Sequence, residues 1–281
     1  MNNKNNPLLL RPSGKDYLWG GKRLNDEFAK GIPMSPLAET WECSVHPDGP
    51  SYVVNKEFEN KTLREVLEQH TEFLGTKHTN GFPLLIKFID AKEDLSIQVH
   101  PDDEYAFKYE NGERGKTEMW YVLDATKDAT LIYGLKRDIT KEELLKAITD
   151  NTLTKYLQYV PVKKGDVFFI EPGTIHAINA GALIVEIQES SNLTYRLYDY
   201  NRIDKNGKKR DLHIQKALNV ARLTKAIEPS QPMRVLKYEQ GKASELLCRS
   251  KYFEVYRMII NTERRQTVTY FTDDLSFKVL L

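Results

Sequence analysis

The chain has 281 residues, 40% of them hydrophobic, and its 41 basic and 40 acidic side chains leave a net charge of +1. That size and apolar content sustain a sizeable core and exclude a disordered chain. The balanced charge gives no field for nucleic acid or an anionic membrane, so the expected partner is a small ligand. The opening "MNNKNNPLLLRPS" holds one lysine and three consecutive leucines, too little for a signal peptide or a membrane span, and predicts a cytoplasmic chain. Cys43 and Cys248 lie far apart without C-x-x-C spacing and are expected to be reduced and structural.

In chain order, short apolar or alternating runs recur at "SYVV", "PLLIKFI", "LSIQVH", "EMWYVL", "ATLIYGL", "DVFFI", "ALIVEI" and "LTYRLYDY". Turn residues separate most of them, and this density predicts a mainly β fold, a sandwich or barrel. Helical patterns are confined to insertions at 61–75, 140–158 and 212–223. The second opens with a capping box, Thr140 and Glu143, and sets Leu144, Leu145 and Ile148 on one face. After Thr224 a stretch with two prolines and little periodicity reads as a crossover to a second β unit. There "YFEVYRMIIN" and "LSFKVLL" read as strands. The expected division is a first barrel with helical insertions over 1–224 and a second, partial β unit over 225–281.

Candidate site residues come from the same alternation. In "LSIQVHPDDEYA" Gln98 and His100 stand two apart on a strand and project from one face. In "GKTEMWYVL" Glu118 shares a face with Trp120 and Val122, where a carboxylate is too costly to bury unless it is paired or bound to a metal. Glu104 is the rival carboxylate, but Pro101 interrupts the strand and "PDDE" reads as a turn, so Glu118 is preferred. Downstream, "KKGDVFFIEPGTIHAINAGALIVEI" places Gly165-Asp166, a strand, Pro172-Gly173 and then His176. This order resembles the second motif of the cupins, small jelly-roll barrels, with Pro and Gly adjacent where that motif separates them. Gln98-x-His100 stands where the cupin first motif has H-x-H, so both motifs point to a metal ion. His46 and His213 lack such company and are read as structural or surface residues.

Over most of its length the chain resembles the type I mannose-6-phosphate isomerases, zinc enzymes with a cupin fold. The resemblance lies in "YLWGGKRL", "AETWECSVHPDGPS", "FPLLIKFIDAKEDLSIQVHPDDEYA", "GERGKTEMWYVL", "PGTIHAINAGALIVEIQESSNLTYRLYDYNR" and "RDLHIQKAL". It implies one zinc per chain on Gln98, His100, Glu118 and His176, with Lys116 and Arg196 as catalytic cations. Where longer members carry an "SDN…RAGLTPK"-like segment this chain reads "SSNLTYRLYDYNR", as in the compact bacterial branch. Compact members run on past the equivalent of "LSFKVLL", so the second β unit is expected to be incomplete.

Aldose–ketose isomerisation requires a proton to move between C1 and C2 while negative charge gathers on the sugar oxygens. A zinc with one anionic ligand keeps the net positive charge that such a step needs. Glu186 is one possible proton carrier, and Arg202 a candidate for the substrate phosphate. Two other readings use the same scaffold, a metal-dependent cupin oxygenase and a non-catalytic sugar-binding or regulatory cupin. Oligomeric state is not legible in the sequence.

Overall fold

Alternation sorts the side chains of each strand onto two faces, and the architecture follows from how those faces are covered. The computed structural model describes residues 6–203, 207–261, 268 and 275–281. Its larger sheet has six antiparallel strands in the order Val167–Ile170, Glu118–Ala125, Ala182–Glu189, Leu84–Asp90, Glu39–Cys43 and Ser13–Lys15. The smaller has five, in the order Tyr195–Tyr198, Ile97–Val99, His176–Ile178, Thr130–Leu135 and Leu157–Pro161. From Leu84 to Glu189 the chain passes back and forth between the two sheets, the pattern of a double-sheet jelly roll. The expected cupin-type jelly roll is therefore present as two facing sheets rather than as a closed barrel.

Three apolar layers hold this arrangement. Between the sheets, Ile89, Trp120, Val122, Phe168 and Ile184 of the larger meet Leu131 and Ile178 of the smaller. The outer face of the smaller sheet presents Ile97, Val99, Ile132, Ala177 and Leu197 to Leu144 and Ile148 of the helix Lys141–Thr149 and to Ala217 and Leu218 of the helix Ile214–Val220. The outer face of the larger sheet presents Ile86, Phe88, Met119, Val185 and Ile187 to Leu63, Val66 and Leu67 of the helix Leu63–Gln69. Leu247, from a third sheet of strands Lys237–Glu239, Lys242–Arg249 and Glu254–Ile260, and Phe253, just before its last strand, join that layer. Each fully buried aliphatic side chain contributes about 1.5–3 kcal/mol. Polar residues facing inward between the sheets thus sit in a rigid, dry wall.

Helix ends carry the remaining local information. The Thr140–Glu143 capping box forms as predicted, but Lys141–Thr149 stops well short of 158. Asn151 takes φ +54°, a short 3-10 turn covers Leu153–Tyr156, and Leu157 begins a strand. A helix at Asp103–Tyr109 replaces the turn expected at "PDDE": the Asp102 carboxylate accepts from Tyr105 N at 2.8 Å, so the acidic run is a helix start. Leu275–Leu281, read as a strand, has no regular structure, and Phe277 instead packs on the Phe82 ring with centroids 4.8 Å apart. Both cysteines are free, and burial pushes the Cys43 thiol up to about 12. Among the described residues no helix is long and apolar enough to cross a membrane.

Candidate metal centre

Strand register assembles the site. His176 pairs with Gln98 on one side and Tyr133 on the other, and Gln98 pairs in turn with Arg196. Directly paired residues share a face, so Arg196, Gln98, His176 and Tyr133 form a row on the inner face of the smaller sheet. His100 lies one side-chain repeat beyond Gln98 on that face. Ile97 and Val99, on either side of Gln98, point into the outer core. From the larger sheet Glu118 projects inward beside Trp120, as their alternation predicts.

Three of the four expected ligands converge to contact distance. His176 Nε2 is 3.3 Å from Glu118 Oε1, His100 Nε2 is 3.7 Å from Glu118 Oε2, and the two Nε2 atoms are 3.2 Å apart. All three side chains are buried. Gln98, half-buried, lies on the same face through its pairing with His176. His176 Nδ1 donates to the Thr174 carbonyl at 2.8 Å, which fixes the ring and leaves Nε2 as the electron-pair donor. The two motifs are also tied through the backbone, since Gly173 N donates to the His100 carbonyl at 2.9 Å. Gly173 has φ +84°, and a Cβ there would lie 2.8 Å from the Val220 carbonyl oxygen, so glycine is required.

Electrostatics agree with a cation at this point. Burial, and then the charge of Glu186, raise the Glu118 carboxyl well above the usual range. Burial lowers His176 to about 4, and burial followed by Lys116 lowers His100 well below its ordinary value. Both imidazoles are therefore neutral ligands at pH 7. Neither carboxylate oxygen of Glu118 has a hydrogen-bond partner. Two neutral nitrogens and a buried carboxylate, mutually within reach, make a donor set that fits a divalent ion such as zinc.

Around this centre stand further charges. Lys116 Nζ is 3.4 Å from Glu118 Oε2 and 3.3 Å from His100 Nε2. Glu186 pairs with Lys87 at 3.1 Å and accepts from Trp120 Nε1 at 3.0 Å; burial raises its pKa, but Lys87 and then Lys116 outweigh this and keep it ionised. Arg196 gives Nη1 to the Asp211 carbonyl at 3.0 Å, whereas its Nε is buried and unpartnered. Arg202 is taken up by Asp199 and the Asp94 carbonyl, both at 2.5 Å. Glu104 is exposed on its helix and is not one of the three clustered residues. His213, expected to be structural or on the surface, has a structural role: its Nδ1 accepts from Arg196 N at 3.3 Å, and its own N donates to the Arg196 carbonyl at 2.8 Å. Sequence reasoning passed over Lys87. A lysine inside "PLLIKFI" was the available signal, since a charge in an apolar run needs a buried partner.

Facing sheets with a buried imidazole–carboxylate–imidazole group between them define a cupin-like scaffold around a candidate single-metal centre. Residues 8–150 match the model of the phosphomannose isomerase type I catalytic domain. The chain is 45% identical to the mannose-6-phosphate isomerase ManA of Bacillus subtilis over 81% of its own length and 70% of that protein. It is 40% identical to the mannose-6-phosphate isomerase of Streptococcus mutans over 94% of its length and 83% of that protein. Its fold superposes on the crystal structure of the mannose 6-phosphate isomerase from Bacillus subtilis with a TM-score of 0.85 at 41% identity, covering 91% of this chain and 80% of that one. The chain belongs to the type I phosphomannose isomerase family.

Proposed function

We propose that the chain interconverts mannose 6-phosphate and fructose 6-phosphate at one zinc ion held by Gln98, His100, Glu118 and His176. The observation that carries this is the convergence of His100, Glu118 and His176 in one buried cluster, in a chain 40–45% identical to mannose-6-phosphate isomerases. When bound, the ion supplies Lewis-acid polarisation of the sugar oxygens. Lys116, at 3.4 Å from Glu118, sets a fixed ammonium beside the oxygens at C1 and C2 and stabilises the negative charge they gain in the enediol-like transition state. Arg196, in the row with Gln98 and His176, provides a second cation on the same face.

Glu186, kept ionised by Lys87 and oriented by the Trp120 indole, is the group assigned to carry the proton between C2 and C1. Trp120 itself, 1% exposed, walls the pocket and limits water access, which protects the intermediate from exchange with solvent. A coupled assay for fructose 6-phosphate, run with metal analysis before and after chelation, tests the reading. The expected result is about one zinc per chain, loss of turnover on chelation and recovery on adding zinc. Full turnover without metal, or oxygen consumption in place of isomerisation, overturns it.

A further inference from the structure

Arg196 lies on Tyr195–Tyr198, the outermost strand of the smaller sheet, which pairs on one side with Ile97–Val99. An edge strand leaves a row of backbone groups without sheet partners. Here the stretch just before the helix Ile214–Val220 takes the place of a further strand. His213 Nδ1 accepts from Arg196 N at 3.3 Å, His213 N donates to the Arg196 carbonyl at 2.8 Å, and the Asp211 carbonyl accepts from Arg196 Nη1 at 3.0 Å. Both backbone groups and the guanidinium of one residue are thus gripped from one short segment, while its buried Nε has no partner.

The grip has a rigid mount. His213 occupies the N-cap position of the helix yet makes no side-chain bond to it, and its carbonyl accepts from Ala217 N at 2.9 Å. Ala217 and Leu218 are buried in the same outer core as Tyr195 and Leu197, the two neighbours of Arg196 along the strand. The imidazole therefore serves the strand and not the helix. A ring can accept at Nδ1 only when it is neutral, and burial, then the charges of Arg196 and Lys216, lower the His213 pKa below its ordinary value against Asp211 and Glu110, which raise it. His213 is neutral at pH 7. We propose that His213 is a positioning residue for the isomerisation: its imidazole, with the Asp211 carbonyl, fixes the backbone and guanidinium of Arg196, the cation assigned to the transition state. A protonated ring sets one N–H against another at Nδ1, so acid loosens the grip. This rests on the mannose 6-phosphate reading above.

On the zinc-loaded full chain, His213→Leu fills much of the ring's space without an acceptor and is expected to lower kcat about tenfold, with KM and zinc content close to wild type. His213→Asn, whose Oδ1 stands near the place of Nδ1 and does not titrate, is expected to recover most of that loss. It should also hold its kcat at acid pH values where wild type declines with zinc still bound. Equal kcat in wild type and His213→Leu overturns the assignment, as does an equal loss in both variants or the same acid decline in wild type and His213→Asn. A second readout needs neither activity nor a change at position 213. In wild type carrying isotope-labelled arginine, the Arg196 amide resonance, assigned by its absence in Arg196→Lys, should shift as the His213 ring protonates. A constant resonance through that titration overturns the grip. If wild type does not isomerise mannose 6-phosphate, the functional reading fails, while the amide titration still decides on His213.

Discussion

The Tyr252 hydroxyl donates to Asp103 Oδ2 at 2.6 Å, across 149 residues of chain. Asp103 Oδ1 accepts from Gly115 N at 3.0 Å, and Glu189 Oε2 accepts from Thr117 N at 2.8 Å. The loop carrying Lys116 is thus held by two carboxylates, one of them tied to the third sheet. The fit is close, since a Cβ on Gly115 would lie 2.5 Å from Asp103 N. Tyr252→Phe removes one hydrogen bond and should cost about 1 kcal/mol, while Asp103→Ala leaves Gly115 N without its acceptor and should cost about 2 kcal/mol. Urea unfolding at constant m-value reads both. An effect of Tyr252→Phe as large as that of Asp103→Ala would mean that the tyrosine acts through packing and not through this bond.

Glu118 and Glu104 offer a matched pair of substitutions. Glu118→Gln keeps the shape and removes the anionic donor, so zinc content should fall toward zero and activity by about a hundredfold or more. Glu104, exposed on its helix, should tolerate the same change with zinc retained. Metal analysis of the two purified variants settles the matter, and zinc loss from Glu104→Gln in place of Glu118→Gln would reassign the ligand.

Lys116 and Arg196 are the two cations assigned to the transition state. Replacing Lys116 with Met or Arg196 with Ala should lower kcat about a hundredfold while zinc stays bound. A rise in KM alone for Arg196→Ala would move that residue from catalysis to substrate binding.

Much of this centre was readable before folding, because it depends on alternation within single strands. Gln98 and His100 against Ile97 and Val99, and Glu118 and Trp120 against Met119, are divided between inner and outer faces by the two-residue period alone. The helix after Pro101 was hidden because Asp and Ser-like residues serve turns and helix starts equally, and only the Asp102–Tyr105 bond distinguishes them. Contacts that join distant strands left no local trace. Glu186 meets Lys87, and Tyr252 meets Asp103, through registers that no single segment encodes.

Glu189 supplies a pH dependence. Its carboxyl is 1% exposed, and burial, then the nearby Asp103 charge, push it up to about 7 from 4.5. Between those values the folded chain keeps a proton that the unfolded chain has lost. Stability from this group therefore falls as pH rises from about 4.5 to about 7, and the penalty is constant above that. Glu189→Gln retains an acceptor for Thr117 N and removes the penalty. Urea midpoints of the variant should gain on wild type between pH 5 and pH 8 and meet it near pH 4. A constant difference across that range would show that Glu189 does not titrate with folding.

Lys87 and Glu186 form a buried ion pair on the inner face, with side chains 5% and 4% exposed and 3.1 Å between Nζ and Oε1. The Lys87 ammonium also lies over the Trp41 ring at 5.0 Å. Breaking a buried pair from one side strands the other charge, so Lys87→Met should cost about 3–5 kcal/mol, far more than the intact pair contributes. Adding Glu186→Gln removes the stranded charge and keeps an acceptor for the Trp120 indole, so the double variant should be more stable than Lys87→Met alone. The double variant should nonetheless remain inactive if Glu186 is the proton carrier proposed above. Unfolding free energies of the two single variants, the double variant and wild type close the cycle. If Lys87→Met and the double variant are equally unstable, Lys87 acts through its packing on Trp41, and the charge on Glu186 is held by other neighbours.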